Sequence, residues 1–109
     1  MEKHRQYYED IRQQVAQLQA IAVRRQDVAK FQEIFLKVQQ RSSEVDEELG
    51  VKTQSYQTEI DKQLRLLSID LMFLKSARQP ATREQRWVMM GDRLHLLVVY
   101  CDALLSPDF

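Results

Sequence analysis

The sequence predicts an all-α protein: an antiparallel helical bundle that ends in a long helical hairpin. Three observations carry this expectation. The chain has 109 residues but only two Gly and two Pro, too few to punctuate the many turns of a sheet protein. Apolar residues recur at alternating three- and four-residue steps over most of the chain, the period of one helix face. The second half carries two such segments of similar length, separated only by a short stretch around Pro80.

In the first helix, Tyr8, Ile11, Val15, Leu18 and Ala22 form the apolar stripe. The phase is lost from Arg24 to Gln26, so helix 1 spans about Glu2 to Val23. The stripe restarts as Val28, Phe31, Phe35 and Val38, with Asp27 placed as an N-cap, which gives helix 2 from Val28 to Arg41. Lys37 and Arg41 then sit where the C-terminal dipole favours cations. Ser43 with Asp46 resembles a capping box for a short acidic helix ended by Gly50. A rival reading joins helices 2 and 3 through Val38, Ser42, Val45, Leu49, Thr53 and Tyr56. The paired serines, the acidic cluster and Gly50 argue against it.

Helix 3 runs from Val51 to Ala77 on the stripe Tyr56, Ile60, Leu64, Leu67, Leu71 and Leu74. Pro80 makes Gln79 extended, and Thr82 with Gln85 offers a cap for helix 4, from Arg83 to Leu105. Its seam is Trp87, Met90, Leu94, Leu97, Cys101 and Leu104. Residues 1–105 thus form a single helical bundle domain, with 106–109 a C-terminal tail.

The hairpin carries more apolar surface than one neighbour can cover. Beside the seam of helix 3 lie Leu66, Ile69, Met72 and Phe73; beside that of helix 4 lie Val88, Met89, Leu96, Val99 and Tyr100. Either the hairpin is central in a four-helix monomer, or a second copy covers the surplus. The expectation is a homodimer through Leu66, Ile69, Phe73, Met89, Leu96 and Val99. Asp70 interrupts the apolar run Leu66 to Leu74. It either pairs with a cation, Arg93 being the candidate, or faces solvent on a narrow polar strip.

Catalytic motifs are absent, as are a phosphate-cradling Gly loop and a C-x-x-C pair, so no enzyme, cofactor or metal site is expected. Asp92 and His95 share a face at i, i+3, but two ligands are too few for a metal, and a boundary pair is expected. Cys101, on the seam, reads as a small buried hydrophobe. The 16 basic and 16 acidic residues cancel, so nothing pulls the whole chain onto nucleic acid. No apolar run reaches the ~20 residues of a membrane span. Met1 to Asp10 is polar with no signal-like apolar stretch, and a single Cys suits a reducing compartment, so a cytoplasmic protein is expected. Charge is nonetheless uneven. Glu44, Asp46, Glu47, Glu48, Glu59 and Asp61 face only Lys52 in their segment, whereas Lys75, Arg78, Arg83 and Arg86 surround the hairpin tip against Glu84 alone. Arg78, Arg83 and Arg86 are therefore the expected contact for an acidic partner.

The segment Ser55-Tyr56-Gln57-Thr58-Glu59-Ile60, continuing through Leu64-Arg65-Leu66-Leu67 to Asp70-Leu71-Met72-Phe73-Leu74, resembles the PatD family of cyanobacteria. So do Ala77-Arg78-Gln79-Pro80-Ala81-Thr82 and the closing Asp92-Arg93-Leu94, Leu96-Leu97, Tyr100-Cys101 and Ala103-Leu104-Leu105. The likeness spans Gln54 to Leu105, and Val99 stands where the family is expected to carry a basic residue. The resemblance implies a non-enzymatic regulator of heterocyst frequency and cell division that contacts FtsZ or another division protein. The alternative is a structural dimeric adaptor for a different protein partner.

Overall fold

The computed structural model describes residues 2–45 and 49–107. Its four helices are α1 (Glu2–Arg24), α2 (Val28–Ser42), α3 (Val51–Ser76) and α4 (Pro80–Leu105), and no strand occurs among the described residues. Their chain order is also their spatial order. α1 packs on α2 and α4, α4 on α3, and α2 touches α3 only sparsely, closing a square of antiparallel neighbours about 45 Å long and 20 Å across. The length of α3 and α4, 26 residues each at ~1.5 Å per residue, accounts for most of the long axis.

The square forms because each helix carries a main apolar seam and buries it. Ile11, Val15, Leu18, Phe31, Val38, Ile60, Leu67, Leu74, Met90, Leu94, Leu97 and Cys101 are all shut off from water. The diagonals are bridged by side chains at opposite ends. Phe31 of α2 meets Trp87 of α4 edge-on at 5.9 Å. At the other end the Tyr8 hydroxyl of α1 donates to Gln57 Oε1 of α3 at 2.8 Å.

The turn between α1 and α2 is tight because two residues adopt left-handed backbone, Arg25 at φ 54° and Asp27 at φ 72°. Asp tolerates this region better than most residues. Its side chain also caps α2 as expected, accepting from the Lys30 backbone N–H at 3.2 Å.

Two boundaries and the role of Gly50 differ from the sequence reading. Pro80 is the first helical residue of α4 and extended Gln79 its N-cap, so Thr82 lies inside the first turn and caps nothing. Proline is well suited to this position, since its missing N–H would have no partner there. Ser43 ends α2 rather than opening a new helix: its backbone N–H reaches Gln39 O and its hydroxyl donates to Gln40 O at 2.7 Å. Gly50 begins α3 as an extended N-cap. The proposed cap partner Asp46, with Glu47 and Glu48, lies outside the described residues. α2 and α3 are separate helices, so the continuous-helix reading does not hold.

Candidate interaction surface

The outer face of the α3–α4 hairpin is organised around one buried charge. Asp70 is 2 % exposed. Its two carboxylate oxygens accept from Arg86 Nη1 at 2.9 Å and from Arg93 Nε at 3.1 Å. Both arginines come from α4 and are about one quarter exposed. Burial of a lone carboxylate would be prohibitive, and two charge-assisted hydrogen bonds offset that cost. Arg86 also lies over the Phe73 ring, 4.4 Å from its centroid, which fixes the plane of the guanidinium. One carboxylate against two guanidiniums leaves the cluster with a net positive charge.

Helical spacing places apolar residues on both sides of this cluster. Leu66 and Phe73 flank Asp70 at i−4 and i+3 on α3. Met89 and Leu96 flank Arg93 in the same way on α4. Leu66, Met89 and Leu96 are half-buried, while Phe73, Ile69 and Val99 are exposed. The six residues expected to form a dimer face therefore all reach the surface of the hairpin. Further along the hairpin the Tyr56 and Tyr100 rings meet at a tilt, 57° between planes, with centroids 6.2 Å apart.

The tip arginines divide by role. Arg83 Nη1 donates to the carbonyls of Leu74 at 2.9 Å and Ala77 at 3.4 Å, satisfying the open C-terminal end of α3. Arg86 is held by Asp70. Only Arg78 is exposed and without a hydrogen bond or ion pair among the described residues. Glu84, the single acid of the segment, pairs with Arg25 of the α1–α2 turn. The tip is thus less charged toward solvent than the sequence count suggests, because Arg83 and Arg86 face their own hairpin.

The opposite end holds a polar network that stitches three helices. The Tyr7 hydroxyl donates to the Ser42 carbonyl at 3.1 Å, Ser42 Oγ to Asp61 Oδ1 at 3.1 Å, and Gln57 Nε2 to the same oxygen at 2.9 Å. Desolvation pushes the Tyr7 phenol up to about 12 and raises that of Tyr8 as well. Sequence reasoning missed Gln57. The signal was present, since Gln57 extends the seam Ile60, Leu64, Leu67 backward by one three-residue step.

Burial pushes the Cys101 thiol up to about 12, which suits a packing residue. The expected Asp92–His95 pair does not form: His95 and Asp92 are both exposed, and no bond joins them. Among the described residues no group of three or more His, Cys, Asp or Glu is placed to hold a metal ion, and no helix is long and apolar enough to cross a membrane.

Compared with protein-family models, curated proteins and solved structures, the chain matches none of them.

Proposed function

We propose that this chain is a non-enzymatic regulator that works by protein–protein contact. It pairs with a second copy through the outer hairpin face and engages a division protein. The observation that carries this reading is the apolar rim of Leu66, Phe73, Met89 and Leu96 around the buried Asp70–Arg86–Arg93 cluster, continued by exposed Ile69 and Val99. Aromatic and Arg side chains held rigidly amid apolar neighbours are the usual anchors of protein interfaces. An apolar rim of this kind suits two-fold pairing, with the net positive clusters offset from one another across the axis. The partner comes from the resemblance of the hairpin sequence to the PatD family, which points to FtsZ in a cyanobacterial cytoplasm and to heterocyst frequency as the output.

Sedimentation equilibrium at micromolar concentration tests the pairing. The expected mass is twice the 13.0 kDa of the chain. Val99→Glu and Phe73→Glu should each give a helical monomer, and a wild type that stays monomeric at high concentration removes the pairing. Co-sedimentation with FtsZ in both nucleotide states tests the partner. Arg78 is the side chain to reverse at the tip, because reversal of Arg83 or Arg86 would damage the fold itself. Failure to bind FtsZ at low salt leaves the adaptor for another protein partner as the reading of this surface.

A further inference from the structure

The α2–α3 side of the bundle does not close. A groove runs along it, continuous through Gln39 and Ser68, and its wider part encloses about 570 Å3. Phe35 and Leu64 lie at its base and are buried. Leu36 and Met72 form opposite rims and are 56 % and 64 % exposed. Two hydrogen bonds join the helices, one near each end: Ser42 to Asp61 and Lys75 Nζ to Gln32 Oε1 at 2.9 Å. Among the described residues no other hydrogen bond or ion pair crosses from α2 to α3.

The groove carries two cations, Arg65 and Lys75, and one acid, Asp61, at its Ser42 end. Arg65 is exposed and makes no ion pair among the described residues, and Lys75 is held only by a neutral amide. Asp61, the groove's acid, already accepts from Ser42 and Gln57. Arg65 and Lys75 lie ten residues apart on α3, about 15 Å along the helix axis. An apolar trough with cations about three helical turns apart matches an amphipathic helix with the opposite pattern.

We propose that this groove docks an amphipathic helix of a partner protein. The helix carries carboxylates about three turns apart, which pair with Arg65 and Lys75, and its intervening apolar residues enter between Leu36 and Met72. This deepens the contact-regulator reading by naming the chemistry of the partner; the groove meets the pairing face at Ile69, which lines its wider part, and otherwise lies on the α2 side of the hairpin. Methionine at the rim suits such a role, since its unbranched side chain adapts to the shape it meets.

The probe is a fluorescently labelled, Ala- and Gln-rich helical peptide. It carries two Glu eleven residues apart, with Leu four and seven residues after the first. A control peptide has Lys in place of both Glu. Anisotropy titrations with the full chain should show saturable binding of the Glu peptide and about tenfold weaker binding of the Lys peptide. Arg65→Glu should weaken the Glu peptide by about fivefold and strengthen the Lys peptide, and Met72→Glu should abolish binding of both. Both positions are exposed, and circular dichroism checks that the helices are kept. Val99→Glu should leave peptide binding unchanged, so a failed pairing face and a failed groove give different results. The proposal is overturned if the Glu peptide does not bind, or if Arg65→Glu and Met72→Glu bind it as wild type does. It is also overturned if Met72→Glu dissociates a wild-type dimer, since the groove would then belong to a second copy.

Discussion

Helix α3 has two neighbours in the square and treats them differently. Toward α4 it presents Leu67, Leu74, the Asp70 carboxylate with its two guanidiniums, and Tyr56 in a tilted contact with Tyr100. Toward α2 it presents a groove spanned by two polar contacts near its ends. The same helix is thus cemented on one side and open on the other. The closed side determines whether the fold exists. The open side keeps apolar surface in water, which a stability-optimised bundle would cover.

The largest expected effect is on the closed side. Asp70→Ala leaves two cations facing each other and should cost about 3–5 kcal/mol, read as a lower urea midpoint. Replacing all three members together, as Asp70→Leu with Arg86→Met and Arg93→Met, should recover most of that loss, because a buried ion cluster adds little over packed apolar side chains. If the triple variant stays as unstable as the single one, the cluster contributes more than mutual neutralisation.

Alkali should destabilise the bundle as a whole next. Burial raises the Tyr7 phenol and the Cys101 thiol to about 12 in the fold, from ordinary values of 10.0 and 9.0. Such groups stay protonated in the fold while the unfolded chain releases its protons. Stability is therefore full below pH 9, begins to fall as Cys101 would ionise, and falls faster above pH 10. Each group removes about 1 kcal/mol per pH unit until its folded value is reached. Urea titrations between pH 8 and 11 measure this, and Tyr7→Phe should flatten the slope above pH 10. A slope unchanged by that substitution would mean that Tyr7 does not drive it.

Two substitutions should stabilise the bundle. Gln63 is buried with its Oε1 atom unpartnered, so Gln63→Leu should raise stability by about 1 kcal/mol. Gly91 lies within α4, and a Cβ there meets nothing within 4 Å. Gly91→Ala should add about 0.5–1 kcal/mol through helix propensity alone. The smallest effect belongs to the open side: Met72→Ala should change the midpoint by less than about 0.5 kcal/mol. A loss as large as that of a core leucine would show that the groove is closed in solution.

The helices were legible because their seams are regular. The expected core positions on the stripes of all four helices are buried, save Val28 and Tyr56, which are half-buried at helix starts. Helix ends were less legible, since Pro80 and Ser43 act through backbone geometry that several residue patterns can imitate. The Asp70–Arg93 pair followed from an acid in an apolar run facing an antiparallel helix. Arg86 did not, because its partner is set by the register between α3 and α4, which a single chain's periodicity leaves free. The groove was illegible for a related reason. Periodicity says which face of a helix is apolar, and the distance between two such faces depends on the side chains of all four helices at once.

The Arg5 guanidinium donates to the Leu105 carbonyl at 3.2 Å, so the first and last helices meet end to end in the square. Chain order is then separable from architecture. A short linker from the end of α4 to the start of α1, with new termini opened between Arg78 and Gln79, would make α4–α1 a local hairpin and α3–α4 a distant pairing. Such a circular permutant keeps every helix whole and gives up the covalent connection at the tip, across which Arg83 still reaches the Leu74 carbonyl. Its folding rate relative to the parent would report whether the α3–α4 side or the α1–α4 side assembles first, since only the loop that must close has changed.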